Sequence, residues 1–302
     1  MIRLSAGVVL LISQIVFYSC TTKSPGARQN LESSIRSEIG NGKGIFAIAW
    51  KDLDSGEELL INEDTVFHAA STMKTPVMIE VFKQASVNRF HLSDSITVTN
   101  QFYSIVDSSI FSLSASEDSE PDLYSVLGSK KTIYDLVYRM IIRSSNLATN
   151  IIVGLIDARK VTETMRSLGA ENIQVLRGVE DIKAYEAGLN NTTTASDLLK
   201  IYTHLASGEL IDKPANQAMI DILLDQRFND IIPAYLPEEV LVAHKTGSIT
   251  GVHHDSGIVF LPNGKSYVIV FLSKNLEDFE HGTKTMARIS RLIYDYYINI
   301  LI

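Results

Sequence analysis

Leu31, Ile35 and Ile39 recur at every fourth position, which predicts an amphipathic helix closed by Gly40. Residues 45–50 form a compact apolar run, Asp54-Ser55-Gly56 is a turn signal, and residues 57–61 read as the returning strand. From Ser71 onward the spacing is mainly helical, and Thr132 with Asp135 three residues on reads as a capping-box start to a helix through Met140. Residues 100–131 are rich in Ser, Asp and Glu without clear periodicity, so they are expected as an excursion over the surface with room to move. Strand signals return at residues 241–248, 257–261 and 267–272, the last two separated by the turn residues Pro262-Asn263-Gly264. Residues 283–302 read as a closing helix. Two strands at the front and three at the back predict one five-stranded antiparallel sheet built from both termini and packed with helices. This is an α/β (α+β) fold, with an all-helical lobe inserted at about residues 71–215 of a single domain spanning 30–302.

Composition adds bounds. The chain has 302 residues, 45% hydrophobic and 21% charged, enough for a full core without disulfide or metal staples. Its net charge is −8, with Lys and Arg scattered, which argues against a nucleic-acid partner. Cys20 is the only cysteine. Arg3 is followed by an almost wholly apolar or small stretch through Ser19, shorter than a spanning helix of about 20 residues. Together with Cys20 and the polar residues 21–29, this resembles a bacterial lipoprotein signal (residues 1–20) and tether (21–29). The expectation is an exported, monomeric protein of the periplasm or cell envelope, touching membrane only through a lipid on Cys20. No cofactor or metal is called for.

Three short motifs carry chemistry. Ser71-Thr72-Met73-Lys74 places a hydroxyl and an amine three residues apart, on one face of a helix that starts nearby. A serine needs a partner base to attack a carbonyl, and a lysine serves only if its surroundings lower its proton affinity. Ser144-Ser145-Asn146 follows an apolar helix and offers a proton-relaying hydroxyl and a substrate-binding amide. Lys245-Thr246-Gly247 ends a strand, where the lysine can hold a carboxylate and the glycine permits close approach of a ligand. Each alone is ordinary, a capping serine or a surface lysine. In this order, each in the context its chemistry needs, they match a known serine acyl-transfer signature.

On these boxes the chain resembles the class A β-lactamase family over nearly all of its mature length. Ala70-Ser71-Thr72-Met73-Lys74 looks like the nucleophile box, and Ser144 through Asn150 like the second box. Leu236-Pro237, Ser248 and Thr192-Thr193-Thr194 agree as well. The resemblance implies that Ser71 is acylated, Lys74 is the neighbouring base and Ser144 relays the proton to the leaving nitrogen. Asn146 would hold the substrate's side-chain amide, and Lys245 and Thr246 its carboxylate. The N–H groups of Ser71 and Ser248 would form the oxyanion hole beside Gly247. The deacylating carboxylate is open. Loop length favours Glu180, whereas Glu186 has Asn190 four residues on, as in the family; Glu180 is the first choice. Ser145 stands where the family carries Asp, and no second cation accompanies Lys245. His253-His254-Asp255 matches no metal motif. The leading expectation is hydrolysis of β-lactams. The alternatives are a D-alanyl-D-alanine peptidase-like or other serine hydrolase, or a penicillin-binding sensor that stays acylated.

Overall fold

The computed structural model describes residues 25–299; the leader, Cys20 and residues 21–24 lie outside them. The first helix, α1, spans Pro25–Asn41, so the part of the expected tether at residues 25–29 is helical instead. Then come β1 (Ile45–Asp52) and β2 (Glu58–Ile61). The short strand β3 (Phe67–His68) leads into a 3-10 turn, Ala70–Met73, and helix α2 (Lys74–Ser86). Small strands β4 (Ser95–Thr97), β5 (Phe102–Tyr103), β6 (Ile110–Phe111) and β7 (Lys130–Thr132) follow, β4 pairing with β7 and β5 with β6. Helices α3 (Ile133–Ile142), α4 (Asn146–Ile156), α5 (Ala158–Ser167) and α6 (Ile182–Glu186) lead to β8 (Thr192–Thr193), which pairs with β3. Helices α7 (Ala195–Ser207) and α8 (Lys213–Leu224) complete the lobe, which runs past the expected limit near residue 215. The chain closes with β9 (Leu241–Ile249), β10 (Val252–Phe260), β11 (Ser266–Lys274) and α9 (Phe279–Asn299).

Five strands form the expected antiparallel sheet from both termini, in the order β2-β1-β11-β10-β9. Strand alternation divides two cores between its faces. Phe46, Ile48 and Trp50 of β1, with Tyr267, Ile269 and Phe271 of β11, pack towards α1 and α9; Ala47, Ala49, Val268, Val270 and Leu272 face the helical lobe. Each fully buried large side chain contributes about 1.5–3 kcal/mol of transfer free energy. Burial on both faces explains why β1 and β11 read as continuous apolar runs. β9 is one of the two edge strands, opposite β2, and the turn at Ala70–Met73 packs against it.

Two further expectations change. β10 begins at Val252, five residues before the expected strand, because His253, His254, Asp255 and Ser256 are all buried in it. Their polar groups are satisfied locally: His254 Nε2 donates to His68 O at 2.9 Å, and Asp255 accepts from Ile232 N at 3.0 Å and pairs with His244 Nδ1 at 2.8 Å. The histidine pair and its aspartate therefore serve separate partners and form no ligand set. The 100–131 excursion is tied down. Ser104 Oγ and Ile105 N donate to Asp181 at 2.9 Å each, Lys183 pairs with Asp107, and Asp118 and Glu120 are buried. The expected cap holds, with Thr132 Oγ1 accepting from Asp135 N at 3.0 Å.

Candidate active site

Ser71 sits on a strained, well-supported turn. Ala70 has φ +45°, in the left-handed region that costs a non-glycine residue roughly 1–3 kcal/mol. The turn is held by Ala69 N donating to Asn191 O at 2.8 Å, Ala70 N to His68 Nδ1 at 3.0 Å, and Thr72 Oγ1 to Ala69 O at 2.6 Å. Ser144 (φ +55°) and Glu180 (φ +61°) share this backbone conformation, so three strained peptides converge on one cleft.

Two adjoining cavities, of about 300 Å³ and 370 Å³, meet at Ser71, Asn146 and Ser248. Glu180, His68 and Tyr185 line the first; Ser144, Thr246, Gly247 and His253 line the second. Residues 71, 144, 180 and 246–248, far apart in sequence, thus share one cleft.

Lys74 and Lys245 are wholly buried and meet on one hydroxyl: Ser144 Oγ lies 3.1 Å from each Nζ. Because that oxygen accepts from both amines, its own proton is free to turn towards a bound substrate. Lys74 Nζ also donates to Ser144 O at 2.7 Å and Asn146 Oδ1 at 2.9 Å. Burial pulls the Lys74 amine down to about 7, against the opposing pull of Asp118 and Glu180. Near neutral pH it is therefore poised to exchange a proton. Lys245 is pushed well below the ordinary lysine range, by burial first and by the charge of Lys74 second.

Asn146 bridges base and loop, its Nδ2 donating to Glu180 Oε1 at 2.6 Å. Burial raises the Glu180 carboxyl above the ordinary glutamate range, opposed by that hydrogen bond. Asn150 fixes the preceding residue from both sides, accepting from Val179 N at 2.6 Å and donating to Val179 O at 3.0 Å. Glu186 is exposed at the end of α6 and lines neither half of the cleft, which separates the two candidate carboxylates. Asn190 is also outside the cleft. The neighbouring Asn191 is the buried amide of this loop, accepting from Leu176 N at 2.8 Å and donating to Arg177 O at 3.0 Å.

The sequence reading missed Asp118. Its carboxylate accepts from Asn146 N (3.1 and 3.0 Å), Leu147 N (2.9 Å) and the Tyr124 hydroxyl (2.9 Å), which places an anion at the start of α4. Ser145 supplies the remaining cap, accepting from Ala148 N at 3.2 Å. A lone Asp within an acidic, aperiodic stretch carries no spacing signal that distinguishes it from a solvated charge.

Gly247 is where β9 meets the nucleophile turn. A Cβ there would lie 3.0 Å from the backbone nitrogens of both Ser71 and Thr72. Those atoms cannot rotate aside as a side chain does, so Gly247→Ala is expected to displace the Ser71 N–H and slow acylation about 100-fold, as loss of one oxyanion donor does. Burst-phase kinetics on a variant still folded by circular dichroism would show it; acylation at the parent rate would contradict the proposed hole.

Known proteins resemble this chain along most of its length. Residues 30–297 match the model of the β-lactamase enzyme family. A β-lactamase from Bacteroides uniformis is 26% identical over 306 residues, covering 94% of this chain and 97% of that protein. The crystal structure of a class A β-lactamase representative from Bacteroides cellulosilyticus superposes with a TM-score of 0.77 at 21% identity, covering 90% of this chain and 99% of that one. The structure of PBP-A gives a TM-score of 0.76 at 26% identity, over 89% and 96%. With the family model spanning almost the whole described chain, this protein belongs to the β-lactamase enzyme family.

Proposed function

We propose that this protein hydrolyses β-lactams through an acyl-enzyme on Ser71. The single observation that carries the residue assignment is the meeting of Lys74, Ser144 and Lys245 beside Ser71, with Glu180 joined to them through Asn146. Ser71 attacks the lactam carbonyl, and neutral Lys74 takes its proton. The N–H groups of Ser71 and Ser248 receive the oxyanion, and Ser144 delivers a proton to the departing nitrogen. Glu180 then draws a proton from the water that attacks the ester. Lys245 and Thr246 hold the substrate carboxylate.

A chromogenic cephalosporin followed by intact-mass measurement tests this reading. Steady turnover is expected; a lasting adduct without turnover would favour an acyl-trapping protein.

The Lys74 assignment predicts a pH profile. The amine must be neutral to accept a proton, so acylation falls as pH drops through about 7. Single-turnover acylation should be flat above pH 8 and fall about 100-fold by pH 5, since each unit below the pKa removes roughly nine-tenths of the base. A flat profile from pH 8 to 5 in a protein still folded by circular dichroism would contradict the role of Lys74.

We further propose export to the cell envelope as a monomer anchored through lipid on Cys20. The charged start, apolar run and Cys20 support this reading. Metabolic labelling with palmitate should mark the native chain and spare Cys20→Ala.

A further inference from the structure

His253 lines the cleft, yet the reaction as described makes no use of it. It faces Ser248 across the β9–β10 register, is only 5% exposed, and borders the half of the cleft formed by Ser144, Thr246 and Ser248. Its ring is held on two sides. Phe279 stacks on it with centroids 4.6 Å apart and planes 19° from parallel. Nδ1 lies 2.8 Å from Thr283 Oγ1, which itself donates to Phe279 O at 2.8 Å. With its proton so engaged, the Thr283 hydroxyl accepts from the ring, and Nδ1 carries the hydrogen. Nε2 is therefore the nitrogen that gains or loses a proton. It has no hydrogen-bond partner among the described residues, and the nearest opposite charge is Asp230 Oδ2 at 4.0 Å.

We propose that protonated His253 is the second cation of the carboxylate side of the cleft, its Nε2–H contacting the substrate carboxylate alongside Lys245 and Thr246. The proposal rests on the reading of the cleft as a β-lactam site, and makes His253 a specificity-determining residue for carboxylate-bearing substrates. A second cation has work to do there, because Lys245 Nζ is already engaged with Ser144 Oγ at 3.1 Å and Thr246 O at 2.8 Å.

The charges around the ring set the sign of the pH effect. Asp230 and Asp255 favour protonation of His253, but burial outweighs them and keeps the ring below the ordinary histidine range. The neighbouring strands and helix present neutral groups to it: Ser248 from β9, Ser273 from β11, and Phe279 and Thr283 from α9. His254 is adjacent in β10, and Glu117 borders the same cavity. The free enzyme thus holds His253 neutral near pH 7, and an arriving carboxylate supplies the anion that favours its protonation. Binding of a carboxylate substrate takes up a proton and weakens as pH rises.

The test compares benzylpenicillin with its methyl ester, which lacks the anion, on the full-length protein and on His253→Gln at pH 6 and pH 8. In the native protein, KM for the acid relative to the ester is expected to rise between pH 6 and 8. His253→Gln should raise KM for the acid about tenfold at pH 6, leave the ester within about twofold, and abolish the pH dependence of their ratio. Equal shifts for acid and ester in the variant, or a native ratio independent of pH, would overturn the proposal. If His253→Gln does not fold, His253→Phe, which keeps a ring against Phe279, takes its place under the same criteria, because the native ratio alone would not separate His253 from Lys245, whose proton affinity is also drawn down. If the native protein turns over neither compound, the hydrolase reading fails separately; the concentration dependence of covalent adduct formation with the two compounds then decides the His253 proposal by the same criteria.

Discussion

Glu180→Ala is expected to take up penicillin readily and then hold it, accumulating an adduct that the parent protein clears. An ester on Ser71 is released only when water attacks it, and that water needs a base beside it. Glu180 lines the cavity that contains Ser71, and its Oε1 is held 2.6 Å from Asn146 Nδ2. Its backbone is steered by the Asn150 amide gripping Val179 and by Asp181, which anchors the 100–111 hairpin to the loop. Burial raises its proton affinity, making it a better acceptor than a solvated carboxylate. Loss of a general base typically costs about 100- to 10,000-fold, so deacylation should slow by that range. Rapid-quench mass measurement separates the two steps: acylation should survive within about tenfold, while the adduct persists. Glu186→Ala serves as the control, because that side chain is exposed on α6 and should leave turnover unchanged. Parent-like turnover by Glu180→Ala, or a stall in Glu186→Ala, would reverse the assignment.

The same loop shows what could be read from the chain and what could not. The three boxes around Ser71, Ser144 and Lys245 were legible because their chemistry requires fixed residue types at fixed short spacing. β1 and β11 were legible because a sheet covered on both faces demands unbroken apolar runs. The start of β10 was hidden because His253, Asp255 and Ser256 are buried with private hydrogen-bond partners on other segments, which a hydropathy pattern cannot anticipate. Asp118 was hidden for a related reason: its value lies in reaching α4 from 28 residues away. The choice between Glu180 and Glu186 turned on which side of a short loop faces inward, and the buried Asn191 was not anticipated. Local pattern favoured Glu186 with Asn190; the fold turns the half-buried Glu180 into the cleft and buries Asn191, because Gly178 passes close against Asn150 and α6 turns its far end to solvent.

The strain at Ala70, Ser144 and Glu180 fits the demand for preorganisation. Each of these peptides lies beside or within a group that must be aimed before substrate arrives, and hydrogen bonds from another segment hold each one or its neighbour. The arrangement favours fixed geometry over local backbone comfort.

All the chemistry proposed for this cleft turns on Ser71, and the site of covalent labelling tests it. Ser71 lies within the turn that packs against Gly247, shares its cleft with Ser144 and Glu180, and stands one helical turn from a lysine with its affinity drawn down to about 7. Removing the hydroxyl removes the atom that forms the ester, so neither the neighbouring amine nor the oxyanion donors can compensate. Ser71→Ala should fold with the parent's melting temperature, because the hydroxyl is not among the groups that hold the turn. The decisive experiment treats Glu180→Ala and the double variant Glu180→Ala/Ser71→Ala with benzylpenicillin and maps the adduct by peptide mass spectrometry. A stable adduct of one penicillin is expected on the peptide containing Ser71 in the first protein and none in the second. An adduct on the double variant, or one mapped to another residue of the first, would contradict it.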